Sequence, residues 1–469
     1  MSFRNFRKLL WLLAFLSVSC GPEEGPYPSR GRFVEVAEVV GAVSNTSAEV
    51  LLQLDADVTS RFAFKMAYDT VPYPQDRDYA FETPKLAGMG PGEKVVFSIP
   101  DGLDPDTRYY YRTAYRQSPD ERWAWRAEGS FHTRRAPGSP FRFCVITDFH
   151  DSTPPLDPGV ARIARNVADD EPDFVVSLGD MVPVSNQGTG DPPDCGLTYL
   201  LYFGFGEQTA SWYYVHAFSR IFNEFSHSSA LVWVNGNHEG LAGYLSACTE
   251  YAWTLNARNK YVPLLGDAEP NGFFGDFVWG DVHIIWLDPL AFSTYDPYQL
   301  NRPEGYALGT VQREWLEDTL AGSSSRWKLI FAHTLFGGAG PNFDCLPGRA
   351  YARGNANFVQ TPGTDQIHIQ SLMEDYGVNA YVYGHDHMYS VSEYGDSGVK
   401  YVLAGTGQED AWTQCLEGRY APWEVLRNDR GHLRVDVNTD SLIIHYIKSE
   451  PDETNGEILA THEIVSPAP

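Results

Sequence analysis

An all-β sandwich followed by an α/β domain is the fold class that the sequence predicts, and three observations predict it. Residues 31–135 carry short β-rich runs separated by Gly, Pro, Asn and Asp, with no stretch of helical period among them. From Phe141 onward, apolar β-branched runs alternate with segments of helical period, the pattern of an α/β layer structure. The length of 469 residues is too great for one small core, and the 43% hydrophobic and 14% aromatic fractions are those of a globular chain.

The first segment reads as a targeting signal. Arg4, Arg7 and Lys8 precede an apolar run over 9–16, and Ser17 and Ser19 lead into Cys20. The run is too short to span a bilayer and has the make-up of a signal-peptide core. A Cys after a small residue, followed by the Gly- and Pro-rich stretch 21–26, resembles a bacterial lipoprotein cleavage site, with Ser17 where that pattern has Leu. The resemblance implies a signal peptide over 1–20, lipidation at Cys20, a linker over 21–30, and an exported protein held at the periplasmic or cell-surface face of a membrane. An acyl chain can anchor a protein without a spanning helix. No later segment reaches the roughly 18 apolar residues of a span.

Strands of the first domain are predicted over 33–43, 48–54, 62–68, 94–99 and 108–115, each bounded by turn residues. The string Leu103-Asp104-Pro105-Asp106-Thr107-Arg108-Tyr109 resembles the turn and late strand of a fibronectin type III domain, and Gly129-Ser130-Phe131-His132-Thr133 resembles its last strand. The resemblance implies such a domain over 31–135. The Pro- and Gly-containing stretch 134–140 then stops the strand pattern.

In the second domain, strands are predicted over 141–147, 173–178, 230–234, 282–287, 327–332, 380–383 and 399–403. Val160, Ile163, Ala164 and Val167 share one face of a helix within 158–168, a second helix covers 311–320, and a third covers 367–376. Gly377 suits the left-handed position that closes this last helix. Alternation over 433–437 and 441–447 predicts added strands at the end. Between Asp180 and Asn237 lies an aromatic-rich insertion, with helical spacing over 213–225; its rings either fill an auxiliary core or line a cleft.

Cys144 falls inside an apolar run and reads as a buried thiol. Cys195, Cys248, Cys345 and Cys415 lie in loop-like surroundings and can oxidise in an exported protein, with three connectivities possible. Cys195–Cys248 with Cys345–Cys415 is the expected pairing; a zinc cluster is the rival, lacking ligand spacing. The net charge of −26 argues against a nucleic-acid groove, which needs a positive footprint, and disfavours a nuclease. It leaves the oligomeric state open.

The chemistry is carried by five strings in order: Asp148-Phe149-His150, Gly179-Asp180, Gly236-Asn237-His238-Glu239, Ala332-His333 and Gly384-His385-Asp386-His387. Each sits at or near the C-terminal end of a predicted strand, the edge where open α/β sheets collect ligands. Gly beside Asp180, Asn237 and His385 lets the backbone turn tightly next to an ion. Carboxylate, amide and imidazole donors suit Mn, Fe, Zn or Ni rather than soft copper. Glu239 reads as a local hydrogen-bond partner, and Asp288 either orients a liganding histidine or caps the core edge.

These five strings resemble the calcineurin-like metallophosphoesterase family, over about 141–445. The resemblance implies a metallophosphoesterase β-sandwich flanked by helices and two divalent or trivalent ions, drawn from Fe, Zn, Mn or similar. Asp148, His150 and His387 would hold one ion, Asn237, His333 and His385 the other, and Asp180 would bridge. His238 would be catalytic rather than a ligand, stabilising the transition state or protonating the leaving oxygen. A metal-bridging hydroxide would attack phosphorus.

The β-rich domain in front of this one also looks like the layout of purple acid phosphatases, with two departures. His150 stands where that subgroup has Gly, and Pro183 stands where it has the Tyr ligand. The layout carries over; the tyrosinate-coloured iron site does not. A small phosphorylated substrate, most readily a phosphomonoester, is therefore expected, with a phosphodiesterase of small substrates, or a non-catalytic surface protein binding through the fibronectin-like domain, as the alternatives.

Overall fold

The computed structural model describes residues 35–54, 60–73, 78–90, 92–150, 156–182, 214–215, 217–240, 258–262, 267–268, 274–289, 308–334, 365–393, 398–407, 424–426 and 429–465. The segment 1–20 with Cys20, the linker 21–30, Pro183, the four cysteines of the expected disulfides, aromatic residues 199–213 and the side chain of Asn237 lie outside the described residues.

The leading region is all β. Strands β1 (Glu35–Gly41), β2 (Ala48–Leu54), β3 (Phe62–Asp69), β4 (Phe81–Glu82), β5 (Leu86–Met89), β6 (Lys94–Ile99), β7 (Arg108–Arg116), β8 (Ala124–Trp125) and β9 (Gly129–His132) form two sheets. One has the order β1-β2-β6; the other has β4-β3-β7-β8, with β5 on β3 and β9 on β7. The alternation explains the layering. Phe64 and Met66 of β3 and Tyr109 and Tyr111 of β7 are buried, and their neighbours Lys65 and Arg112 are not. Tyr109 stacks on Phe131 at 5.6 Å between centroids. The two- to four-residue strands β4, β5 and β8 had no periodic signal to reveal them.

The second region begins with β10 (Phe141–Ile146), helix α1 (Pro158–Asp169), β11 (Phe174–Ser177), β12 (Ala230–Trp233) and the one-turn helix α2 (Asn237–Gly240). Strands β13 (Asp267–Ala268), β14 (Gly275–Trp279) and β15 (Val282–Trp286) follow, then α3 (Gly309–Gly322), β16 (Trp327–Ala332), α4 (Asp365–Asp375), β17 (Ala380–Tyr383), β18 (Met388–Glu393), β19 (Lys400–Gly405) and β20 (Glu424–Leu426). The chain ends in β21 (Gly431–Val437), β22 (Ser441–Lys448) and β23 (Ile458–Val465). Over 217–224, the expected helix is a short helical piece followed by a 3-10 turn at Phe222–Glu224.

Two sheets face each other. The six-stranded sheet runs β12-β11-β10-β21-β22-β23, and the eight-stranded one runs β13-β14-β15-β16-β17-β19-β18-β20. Strands β10, β11 and β12 are parallel, as are β15, β16, β17 and β19. Phe174 meets Phe277 at 5.4 Å and Trp279 at 5.3 Å, and Phe143 meets Phe331 at 6.2 Å, so aromatic rings from both sheets interdigitate.

Helices cover the outer faces. On α1, Val160, Ile163, Ala164 and Val167 pack with Cys144 and Ile146, as their helical spacing predicts. Its start is set by Asp157, whose carboxylate accepts from the Gly159 amide at 2.7 Å, with Pro158 in the first turn. Leu316 and Leu320 of α3 and Ile369, Leu372 and Met373 of α4 cover the other sheet. No described helix is long and apolar enough to cross a membrane.

The leading sandwich is not a separate body: residues from Glu35 onward form one compact unit. Ala37 and Val39 of β1 join the core beneath α1. The Val40 amide donates to Ser226 O at 2.8 Å, and Tyr111 Oη donates to His227 O at 2.9 Å. Buried Asp173, just before β11, accepts from Arg135 Nε at 2.7 Å and Nη2 at 3.0 Å, and from Trp279 Nε1 at 3.1 Å. The sandwich thus braces the segments that feed β11 and β12.

Candidate metal centre

The parallel strands all end at one edge, and the five strings are there. Asp148 and His150 follow β10, Asp180 follows β11, His238 follows β12, His333 follows β16, and His385 and His387 follow β17. Backbone bonds stitch neighbouring loops together within each sheet. The Asp148 amide donates to Gly179 O at 3.1 Å, the His150 amide to Asp180 O at 2.9 Å, and the Gly384 amide to His333 O at 2.9 Å. Asp148 Oδ2 accepts from the His385 amide at 2.8 Å and from Thr147 Oγ1 at 2.6 Å.

The donor atoms converge into triads. Asp148, His150 and His387 bring their ligand atoms within 4.8 Å of one another; so do Asp180, His333 and His385, and so do His150, Asp180 and His238. Asp180 therefore belongs to both sides of the cluster. His150 Nε2 lies 3.1 Å from His387 Nε2, and His333 Nε2 lies 3.1 Å from His385 Nδ1. Two nitrogens each about 2.1 Å from one ion, at tetrahedral to right angles, stand about 3.0–3.4 Å apart, so each pair has the spacing of neighbouring ligands. Asp148 Oδ1 is buried with no hydrogen-bond partner among the described residues, as an oxygen meant for a cation would be. The residues fit a metal pair. His333 Nδ1 lies 2.9 Å from the Leu178 carbonyl; donating there leaves Nε2 as the ligand atom.

Backbone conformation marks the same positions. Asp148, His150, Asp180, His385 and His387 have φ of 54°, 47°, 55°, 76° and 53°. A left-handed conformation costs a non-glycine residue about 1–2 kcal/mol, and such strain gathers where geometry serves a ligand. Glycines make the approach possible. A Cβ on Gly384 would stand 2.1 Å from Thr147 Oγ1, and one on Gly179, itself at φ +94°, would stand 2.1 Å from the Gly236 nitrogen.

Electrostatics follow from burial and proximity. Burial alone would raise Asp148, but the imidazoles of His387, His150 and His333 outweigh it and hold the carboxyl well below the usual range. Asp180 is likewise lowered, burial being overcome by His333, His238 and His150. Burial opposes the charging of His333, yet Asp180 and Asp148 bring it up to about 9. His238 goes the other way: burial pushes it down to about 4 against the pull of Asp180. Its Nε2 is 3.9 Å from Asp180 Oδ2, its ring is 4.5 Å from that of His150, and its side chain keeps 22% exposure at the mouth of the cluster.

Sequence reasoning placed two neighbours less fully. Asp288 is buried and accepts from Nδ2 of Asn235, the residue before Gly236, at 2.9 Å. Glu239 is the hydrogen-bond partner expected, on a larger scale. It accepts from the amides of Asp180 (2.7 Å), Met181 (2.7 Å), Val182 (3.0 Å) and Gly236 (2.8 Å). Burial and the Asp180 carboxylate push Glu239 up to about 7, but with four N–H donors aimed at its two oxygens we assign the ionised form.

Comparison with known proteins agrees with this geometry. A structure of PhoD superposes with a TM-score of 0.68 at 16% identity, covering 94% of this chain and 90% of that one. The structure of the purple acid phosphatase PPD1 from yellow lupin (Lupinus luteus) seeds gives a TM-score of 0.63 at 17% identity, covering 92% of this chain and 74% of that one. At such identities the likeness concerns the fold. No curated protein matches the sequence. The family described as calcineurin-like phosphoesterase matches residues 141–389, which hold every residue of the triads and more than half of the chain. By that match the chain belongs to the calcineurin-like phosphoesterase family, and it is a metal-dependent phosphoesterase.

Proposed function

We propose that the protein is a dinuclear-metal phosphohydrolase acting on small phosphomonoesters. The observation that carries this reading is the shared carboxylate: Asp180 belongs to triads on both sides of the cluster. Asp148, His150 and His387 would hold one ion, and His333, His385 and Asn237 the other. Two ions there would lower the pKa of a water between them and offset phosphoryl charge. The chain's own residues do the rest. Asp148 and Asp180 are poised as carboxylates, and His333 is oriented by Leu178 O. His238, neutral at pH 7 and set at the mouth, places an N–H on a phosphoryl or departing oxygen.

The layout of a β-sandwich ahead of the catalytic region supports monoesters, since the lupin purple acid phosphatase aligns over 92% of this chain. We also propose that residues 31–135 are a fibronectin type III-like module and that the chain is exported and acylated at Cys20. The Arg4–Cys20 pattern and the strand content of the module support these assignments.

The test is elemental analysis of protein purified without added metal, with the same sample assayed on p-nitrophenyl phosphate and bis-p-nitrophenyl phosphate. About two metals per chain with faster monoester turnover is the expected result. Faster diester turnover would replace the monoesterase with a diesterase. Absence of metal and turnover after Mn, Zn or Fe is supplied would end the proposal.

A further inference from the structure

Among the described residues Glu239 hydrogen-bonds backbone amides rather than candidate ligand atoms, and it joins the two loops that carry Asp180 and His238. Its Oε2 accepts from the Asp180 amide at 2.7 Å and the Gly236 amide at 2.8 Å, and its Oε1 accepts from Met181 at 2.7 Å and Val182 at 3.0 Å. The side chain is 2% exposed. One carboxylate thus satisfies four amides in the turns after β11 and β12. Each of these amides would otherwise lose the partner that burial requires. The same two turns touch directly: the His238 amide donates to Asp180 Oδ1 at 2.7 Å, and Gly179 and Gly236 pack without room for a Cβ.

We propose that Glu239 is a positioning residue that locks the Asp180 turn to the His238 turn, so that the shared carboxylate and the mouth imidazole keep one fixed separation. The proposal rests on the dinuclear phosphohydrolase reading and adds a residue to it. A carboxylate is the side chain that fits. It presents four lone-pair directions and no donor, matching four N–H groups. Glutamine offers one acceptor oxygen and turns an NH2 group against two donors. Aspartate keeps the charge and is one methylene too short to reach both turns.

The experiment compares wild type, Glu239→Gln and Glu239→Asp for metal affinity by chelator competition, for kcat and KM with p-nitrophenyl phosphate at saturating metal, and for thermal midpoint. Leu320→Ala, a buried position in α3 on the outside of the other sheet, supplies a destabilised control. For Glu239→Gln, metal affinity should fall about 10–100-fold and kcat about 10–100-fold, with KM within threefold. Glu239→Asp should recover part of both. Leu320→Ala should lower the midpoint and leave both unchanged below its transition.

If both Glu239 variants keep wild-type metal affinity and kcat below their own transitions, Glu239 is structural and the positioning role is overturned. The same holds if Leu320→Ala loses metal and kcat as they do. Should the wild type bind metal but hydrolyse no phosphate ester, the substrate reading fails separately, and the metal-affinity comparison still decides the role of Glu239.

Discussion

A Cβ on Gly236 would stand 2.1 Å from Oδ1 of Asp180 and 2.3 Å from the Asp180 amide, so the shared carboxylate occupies the space that any other residue would need. The contact is with backbone as well as side chain, and the Asp180 turn is tied to the Gly236 turn by its amides' bonds to Glu239. Gly236→Ala should therefore displace Asp180, lower bound metal by at least about one ion per chain, and reduce kcat/KM by about 100-fold or more. Gly322→Ala is the matched control, since nothing lies within 4 Å of a Cβ there. It should leave metal and turnover unchanged. Elemental analysis and steady-state kinetics on both variants check this; full metal loading in Gly236→Ala would contradict it.

Truncation at the mouth should separate catalysis from metal binding. His238 lies 3.9 Å from Asp180 and remains partly exposed, whereas His150 and His333 are turned into the cluster. In His238→Ala the metal content should stay at the wild-type level while kcat falls about 10²–10⁴-fold, the range of a lost proton donor or transition-state contact. Loss of metal together with turnover would instead make His238 a ligand.

The site was legible in the sequence to a high degree because its parts are local strings tied to strand ends. Asp148, His150, Asp180, His333, His385 and His387 each follow an apolar run, and parallel pairing then carries all of those ends to one edge. What the strings could not show was pairing at long range. Nothing in 431–437 says that β21 lies antiparallel to β10, with Leu433 opposite Val145. The four-amide grip of Glu239 was hidden for the same reason, since its donors at 180–182 lie about sixty positions away along the chain. The short strands β4, β5 and β8 escaped because two to four residues carry too little periodicity to separate a strand from a turn. Helix α1 was legible almost to its ends, since Asp157, Pro158 and a four-residue apolar stripe act within one segment.

Removing metal should loosen the strand ends first. Asp148, His150, Asp180, His385 and His387 are all held at positive φ, and Asp148 and Asp180 are buried carboxylates. Ion binding to the native state alone stabilises it by RT ln(1 + [M]/Kd), about 2.7 kcal/mol at a hundredfold excess over Kd. Chelation should thus lower the thermal midpoint by several degrees and raise amide exchange at 148–150, 179–182 and 384–387, while the helices α1 and α3 keep their protection. Uniform loss of protection along the chain, or none, would count against a centre stabilised by metal.

Acid should weaken the protein through Asp170 and its two partners on β21. Asp170 closes α1, where the helix dipole disfavours a carboxylate. It is retained by His432 Nε2 at 2.8 Å and Arg434 Nη1 at 3.1 Å, both on β21. Burial tends to raise Asp170, but the His432 and Arg434 contacts outweigh it and lower it from its ordinary value. The unfolded chain, with a pKa of about 3.9, therefore binds the proton more readily than the native one. The stabilisation is fully present above about pH 4 and disappears as pH falls through the native value. Asp170→Asn should cost about 2 kcal/mol at pH 7, and its deficit relative to wild type should shrink towards pH 3. Urea unfolding of both proteins at pH 7, 5 and 3 measures this, and a deficit that stays constant over that range would show that the carboxylate charge contributes nothing to the fold.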